Sequence, residues 1–225
     1  MNIILFGPPG AGKGTQSDNI SKKFNLHKVS TGDLLREESK KNTTLGNNIK
    51  SVIDEGKFVS DKIINDLIIT ILSKKELYSR LIFDGYPRNL NQAKDLDLLI
   101  AKYDQKIACV LSLNVDKETV LKRILGRQTC GKCGLIFNVY YNKSTSNNHE
   151  CGENFLSTRS DDNKKTLLER FKTYEDKTLP ILEYYKKHKI LKEINGVGEI
   201  DAIFNEIHGI LASLETWLCK RYLYN

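Results

Sequence analysis

Apolar residues along this chain follow two rhythms. Short, largely apolar runs occur at 3–6, 81–83, 107–113 and 190–194, lengths that suit strands buried on both faces of a parallel sheet. Between them the period is helical. It is clearest over 61–73, where Ile64, Leu67, Ile68, Ile71 and Leu72 share one face. The pattern predicts helices at 16–24, 31–38, 44–55, 61–73, 91–102, 117–125, 167–188 and 200–217, with an interruption in the seventh at Pro180. Strands alternating with helices predict an α/β fold. Its parallel sheet would carry helices on both faces and bind ligands at the strands' C-terminal ends. The texture changes once, over 127–158, which is rich in Asn, Ser, Gly, Tyr and Cys and alternates briefly at 135–140. A small β insertion is expected there.

The first apolar run ends in Gly7-Pro8-Pro9-Gly10-Ala11-Gly12-Lys13-Gly14-Thr15. A glycine-rich loop between a buried strand and a helix turns its N–H groups around phosphates, with the helix N-terminus behind and Lys13 reaching the β and γ groups. Gly14 stands where a Ser or Thr usually binds Mg²⁺, so Mg²⁺ is expected to be held mostly by phosphates and water. Asp84, at the end of the run 81–83, suits an acid that orients Mg²⁺ through its waters, although Asp84-Gly85 is also a turn signal.

Composition narrows the class further. A chain of 225 residues, 40% hydrophobic and 28% charged, fits a soluble globular protein with one core plus insertions. The net charge of +7 raises the question of nucleic acid, but the lysines are spread evenly with no aromatic-interleaved basic block. No nucleic-acid partner is expected. No run approaches the ~20 apolar residues of a membrane span, and the first strand begins almost at once, so neither membrane nor leader is expected. Five cysteines, an odd number, do not suggest a secreted disulfide framework. A cytoplasmic monomer is expected.

Four segments carry a resemblance: Gly7 to Thr15; Ser30-Thr31-Gly32-Asp33-Leu34-Leu35-Arg36; Asp84-Gly85-Tyr86-Pro87-Arg88; and Thr158-Arg159-Ser160-Asp161-Asp162. In this order and spacing, over essentially the whole chain, they resemble the signatures of the adenylate kinases. The resemblance implies a P-loop NTPase-like core at 1–29, 60–126 and 164–225, a helical segment for the acceptor monophosphate (NMP) at 30–59, and a flap (the LID) at 127–163. It implies Mg-dependent transfer between ATP and AMP, giving ADP, with a GTP:AMP phosphotransferase as the alternative.

By that resemblance Arg36 and Arg88 hold the acceptor phosphate, Arg123 and Arg127 face the donor, and Arg159 and Arg170 clamp the transferring group. With Lys13 they supply the positive charge phosphoryl transfer needs, and Lys13, Asp84, Arg88, Arg123, Arg159 and Arg170 form the implied catalytic set. The donor site would comprise Gly10, Ala11, Gly12, Lys13, Gly14, Thr15, Arg123, Arg127, Ile136, Phe137 and Gly198. The acceptor site would comprise Thr31, Arg36, Lys57, Phe58, Val59, Gly85, Tyr86, Pro87, Arg88, Gln92, Arg159 and Arg170, with Thr31 and Gln92 at the base. Asp161 and Asp162 either fasten the flap or cap the helix after it. Gly12, Gly56 and Gly126 are candidates for the backbone freedom that closure requires, or ordinary turn glycines.

Cys130-Gly131-Lys132-Cys133 is a knuckle typical of metal sites, and Cys151 follows later. Many adenylate kinases carry structural Zn²⁺ in the flap on two Cys-x-x-Cys halves. Here Asn154 replaces the last cysteine, leaving His149 as a fourth ligand and Glu153 as a weaker one. Zinc and a flap with leftover thiols both remain open.

Overall fold

The computed structural model describes residues 1–55 and 59–223, the last six of these by backbone alone. Strands β1 (Asn2–Phe6), β2 (His27–Ser30), β3 (Leu81–Asp84), β4 (Ile107–Asn114) and the late β8 (Leu191–Asn195) form one sheet in the order β2-β3-β1-β4-β8. Every pairing is parallel. The flap contributes β5 (Arg127–Cys130), β6 (Ile136–Asn138) and β7 (Leu156–Ser157), a separate antiparallel sheet in the order β6-β5-β7. The edge strand β2 is an addition to the expected set. Of its four residues only Val29 is fully buried, so it lacks an apolar run.

Alternation along the strands divides the core in two. Ile3 and Leu5 of β1, Ile82 of β3 and Cys109, Leu111 and Leu113 of β4 pack on one face with Ile20 of α1 (Lys13–Phe24) and Ile203, Ile207 and Leu211 of α9 (Ile200–Leu223). Ile4, Phe6, Leu81, Phe83 and Val110 point the other way. They meet Ile64 and Ile68 of α4 (Asp61–Leu72), Ala93 and Leu96 of α5 (Leu90–Lys102), and Ile181 and Tyr185 of α8 (Leu179–Lys187). At about 25 cal/mol per Å² of apolar surface, these two layers supply most of the folding drive. The expected two-faced α/β sheet is present.

Helix starts follow local capping chemistry. Ser30 accepts from the Asp33 N–H at the start of α2 (Thr31–Ser39), and Thr43 from Gly46 N–H at the start of α3 (Thr44–Asp54). Asp116 does the same for α6 (Lys117–Leu125) and Asn163 for α7 (Lys164–Thr173). The cap of α7 is therefore Asn163, not Asp161 or Asp162, and the helix begins at 164 rather than 167. The single helix expected over 167–188 is α7, a π-helical turn at Tyr174–Thr178, and α8. The irregularity lies ahead of Pro180 because a proline in the first turn of α8 has no N–H to donate back and crowds the preceding turn.

Candidate active site

The C-terminal ends of β1, β2 and β3 open on a cleft of about 330 Å³. Its floor is the glycine-rich loop. Gly10 sits at φ +81°, and a Cβ there would lie 2.7 Å from Ile124 Cγ1, so the loop lies against α6 only because no side chain intervenes. Gly12 is the N-cap of α1 and offers no side chain to its first N–H groups. Lys13 folds back over the loop, donating to the carbonyls of Gly7 at 2.7 Å and Pro8 at 2.8 Å. Desolvation pulls Lys13 down to about 8, with Asp84 opposing the shift and Arg88, Arg170 and Arg127 adding to it.

Gly10 to Thr15 line this cleft together with Arg36, Val59, Asp84, Gly85, Pro87, Arg88, Arg123, Arg127, Ile136, Phe137, Arg159, Arg170 and Gly198. Thr31, Tyr86 and Gln92 line a smaller cavity of about 20 Å³ next to it. Lys57 and Phe58, with Gly56, lie outside the described residues. Every other nucleotide-site residue expected from sequence therefore borders one of these two spaces.

The cations are held in place by the protein itself. Arg88 donates through Nε to the Gly85 carbonyl at 2.7 Å, and desolvation, with Arg170 next in weight, lowers it to about 10. Arg159 is lowered to about 10 by desolvation, then by Arg127 and Arg36. Arg123 donates to the carbonyls of Ala11 at 3.2 Å and Gly196 at 2.9 Å. Arg36 pairs with Asp33, Arg127 with Asp162, and Arg170 with Asp161. So Asp161 and Asp162 are ion-pair partners of cleft arginines. A site that depresses the pKa values of several guanidinium groups is short of negative charge, and a polyphosphate would supply it. Asp84 is buried and accepts from Ser17 Oγ at 3.1 Å.

Several contributors had no reading in the sequence. Asp33 sits one turn before Arg36, a spacing that would have suggested the pair. Tyr141, 5.9 Å from Arg123 across its ring, and Thr178, which donates to the Arg88 carbonyl at 2.9 Å, gave no such signal. They depend on how the flap and the π turn fold. Gly126 has an ordinary φ of −90°. A Cβ there would meet the Tyr140 ring at 2.6 Å and Asn138 Oδ1 at 2.7 Å, so a larger residue would require those side chains to shift.

Comparison with known proteins gives a consistent result. The family model described as adenylate kinase matches residues 5–190. An adenylate kinase of Pelagibacter ubique is 49% identical over 94% of this chain and 99% of its own length. Those of Methanothrix thermoacetophila and Syntrophobacter fumaroxidans are each 41% identical, over 96% and 94% of this chain and all of their own length. The chain belongs to the adenylate kinase family.

This family member's flap holds a second cluster. The ligand atoms of Cys130, Cys133, His149 and Cys151 all lie within 4.8 Å of one another. His149 is buried, its Nδ1 is 2.8 Å from Ser144 Oγ, and its Nε2 has no hydrogen-bond partner among the described residues. A buried imidazole nitrogen left bare beside three thiols fits a tetrahedral Cys₃His zinc site, with Ser144 fixing the ring from behind. Glu153 is not in the cluster. The thiols already differ. Burial pushes Cys130 up, but the N–H groups of Cys133 and Lys132 outweigh it and bring Cys130 to about 6, while burial and the neighbouring thiols of Cys133 and Cys130 raise Cys151 to about 11.

Proposed function

We propose that this chain catalyses the reversible transfer of the γ-phosphoryl group from Mg-ATP to AMP, yielding two ADP, in the cleft between the glycine-rich loop and Arg88. The observation that carries the reading is the gathering of Lys13, Arg36, Arg88, Arg123, Arg127, Arg159 and Arg170 around one cavity. Phosphoryl transfer asks little covalent chemistry of side chains; it asks for in-line placement, charge neutralisation and dryness. The loop and Lys13 bind the donor phosphates, with Ile136, Phe137 and Gly198 toward the donor base. Arg36 and Arg88 orient the acceptor phosphate, while Thr31, Val59 and Gln92 enclose the acceptor base. Arg123, Arg159 and Arg170 neutralise charge on the group in flight. Asp84, with Ser17 donating to it, would hold Mg²⁺ through its waters, and the ion would supply positive charge to the donor phosphates.

The division into a core at 1–29, 60–126 and 164–225, an acceptor segment at 30–59 and a flap at 127–163 follows from this reading. Contact between the latter two, Ser160 Oγ donating to Asp54 Oδ1 at 3.1 Å, supports a joint cover that keeps water out. Zinc on Cys130, Cys133, Cys151 and His149 Nε2 would hold the flap together and take no part in the reaction, since four protein ligands leave it no open position. A cytoplasmic monomer belongs to this reading, and an odd number of cysteines with no secreted disulfide framework favours a reducing compartment. No described helix is long and apolar enough to cross a membrane.

Initial rates of ADP formation from AMP with ATP or GTP at equal Mg²⁺ test the assignment. A strong ATP preference is expected. A GTP preference would retain the fold and the arginine roles but overturn the donor. No transfer with either donor would overturn the activity.

A further inference from the structure

Beside the acceptor side of the cleft, one polar group has its orientation fixed twice over. Gln92, in the first turn of α5, is 2% exposed and lines the small cavity shared with Thr31, Ile64 and Tyr86. Its Oε1 accepts from the Arg88 backbone N–H at 2.7 Å, and its Nε2 donates to Asp61 Oδ1 at 2.6 Å. Asp61, the first residue of α4, also accepts from Asn89 Nδ2 at 3.2 Å and 3.1 Å. Asn89 in turn caps α5 by accepting from the Gln92 N–H at 2.8 Å.

The two ends of a glutamine amide are nearly the same size, so its partners alone decide which end points where. Here each partner has only one capability. The Arg88 N–H can only donate, and an ionised carboxylate can only accept. A half-turn of the amide would set N–H against N–H and oxygen against carboxylate, in a site closed to water. Both inner bonds leave capacity to spare. Among the described residues each end makes one such bond, which leaves Nε2 a second N–H and Oε1 a second lone pair to offer a base. What the amide can offer is then a donor and an acceptor in an order its partners set.

A 6-aminopurine presents the matching order, an acceptor at N1 next to a donor at N6. A 6-oxopurine presents the reverse, a donor at N1 next to an acceptor at O6. We propose that Asp61 is a positioning residue that fixes the polarity of Gln92 and thereby selects a 6-amino over a 6-oxo purine monophosphate as acceptor. The inference rests on Gln92 facing the acceptor base, as read above. To bind a 6-oxo base well, the enzyme must turn the amide and lose both inner bonds; sites with unpaired buried polar groups reject such ligands strongly.

The test is kcat/KM for AMP and for inosine monophosphate, at fixed Mg-ATP, in the wild type and in Asp61→Asn and Gln92→Leu. Asparagine at 61 can meet either end of the amide, so one of the two constraints is lifted and only the Arg88 N–H still opposes the turn. The AMP-to-inosine-monophosphate ratio is expected to fall by about tenfold or more in Asp61→Asn, through KM of the monophosphates rather than kcat. An unchanged ratio, with both substrates weakened alike, would reduce Asp61 to a structural contact and overturn the proposal. Gln92→Leu separates the two readings. If it leaves the ratio at the wild-type value, Gln92 does not read the base and the underlying assignment fails. If it collapses the ratio while Asp61→Asn does not, only the role of Asp61 fails. Asp61→Ser, whose hydroxyl both donates and accepts, gives the same readout if the asparagine variant does not fold.

Discussion

Arg127 and Asp162 meet as a two-pronged ion pair, Nε to Oδ2 at 2.8 Å and Nη2 to Oδ1, joining the first strand of the flap to its return 35 residues later. The carboxylate side chain is 1% exposed and the guanidinium 17%. Such forked pairs fix geometry as well as charge.

Asp162→Asn keeps the shape and removes the charge, leaving Arg127 uncompensated near Arg159 and Lys13, whose pKa values it already depresses. The expected result is a KM for ATP raised about tenfold, with increased ATP hydrolysis in the absence of acceptor, because the flap no longer seals the cleft. Steady-state rates with and without AMP check both. Unchanged KM and unchanged hydrolysis would show that the pair does not govern the flap.

In the proposed reaction Arg88, which lines the cleft, orients the acceptor phosphate. Arg88→Ala is expected to lower kcat by about 10³-fold or more while the thermal transition moves little, since the side chain contributes charge rather than core packing. Arg88→Lys should recover only a small part, because an ammonium cannot reproduce the planar fork. Turnover near wild type in Arg88→Ala would remove this residue from the acceptor-phosphate site.

Much of this was legible before any coordinates, for definable reasons. The strands at 3–6, 81–83 and 107–113 are buried on both faces and so spell themselves in apolar runs, whereas β2 is an edge strand with one buried apolar residue. The glycine-rich loop is readable because its chemistry is backbone chemistry fixed by local spacing. The roles of Asp161 and Asp162 were undecidable locally. Only the folded flap shows that they face Arg170 and Arg127 and that Asn163 does the capping. Similarly, the bond from Asp61 to Gln92 spans 31 residues and joins two helix starts that no linear pattern links.

The Cys₃His cluster makes a composition claim. Protein purified without chelators is expected to contain about one zinc per chain by elemental analysis, and stripping it should lower the thermal transition by several degrees, as loss of a native-state ligand does. His149→Ala leaves three thiolates and loses the ligand supported by Ser144, so zinc should be retained more weakly while Glu153→Ala changes nothing. A chain carrying well under one zinc would reject the site.

Lys13 makes the reaction's binding step sensitive to alkaline pH. Its pKa stands at about 8 against an ordinary 10.5, chiefly because the ammonium is desolvated in the cleft. Phosphate oxygens of a bound triphosphate favour the charged form and restore the higher value. Above pH 8 the free enzyme thus holds fewer protons at Lys13 than the complex, so binding takes up a proton and weakens as pH rises; below pH 8 both forms are already charged. Calorimetric titration of Mg-ATP in buffers of different ionisation enthalpy should show almost no uptake at about pH 7 and close to one proton at about pH 9. Arg88 and Arg159, at about 10, lie above this window and contribute little. Lys13→Arg replaces the titrating group with one that stays charged, and should abolish the uptake at about pH 9 even where ATP still binds. Equal uptake in that variant would assign the proton to another group, and absent uptake in the wild type would return Lys13 to an ordinary pKa.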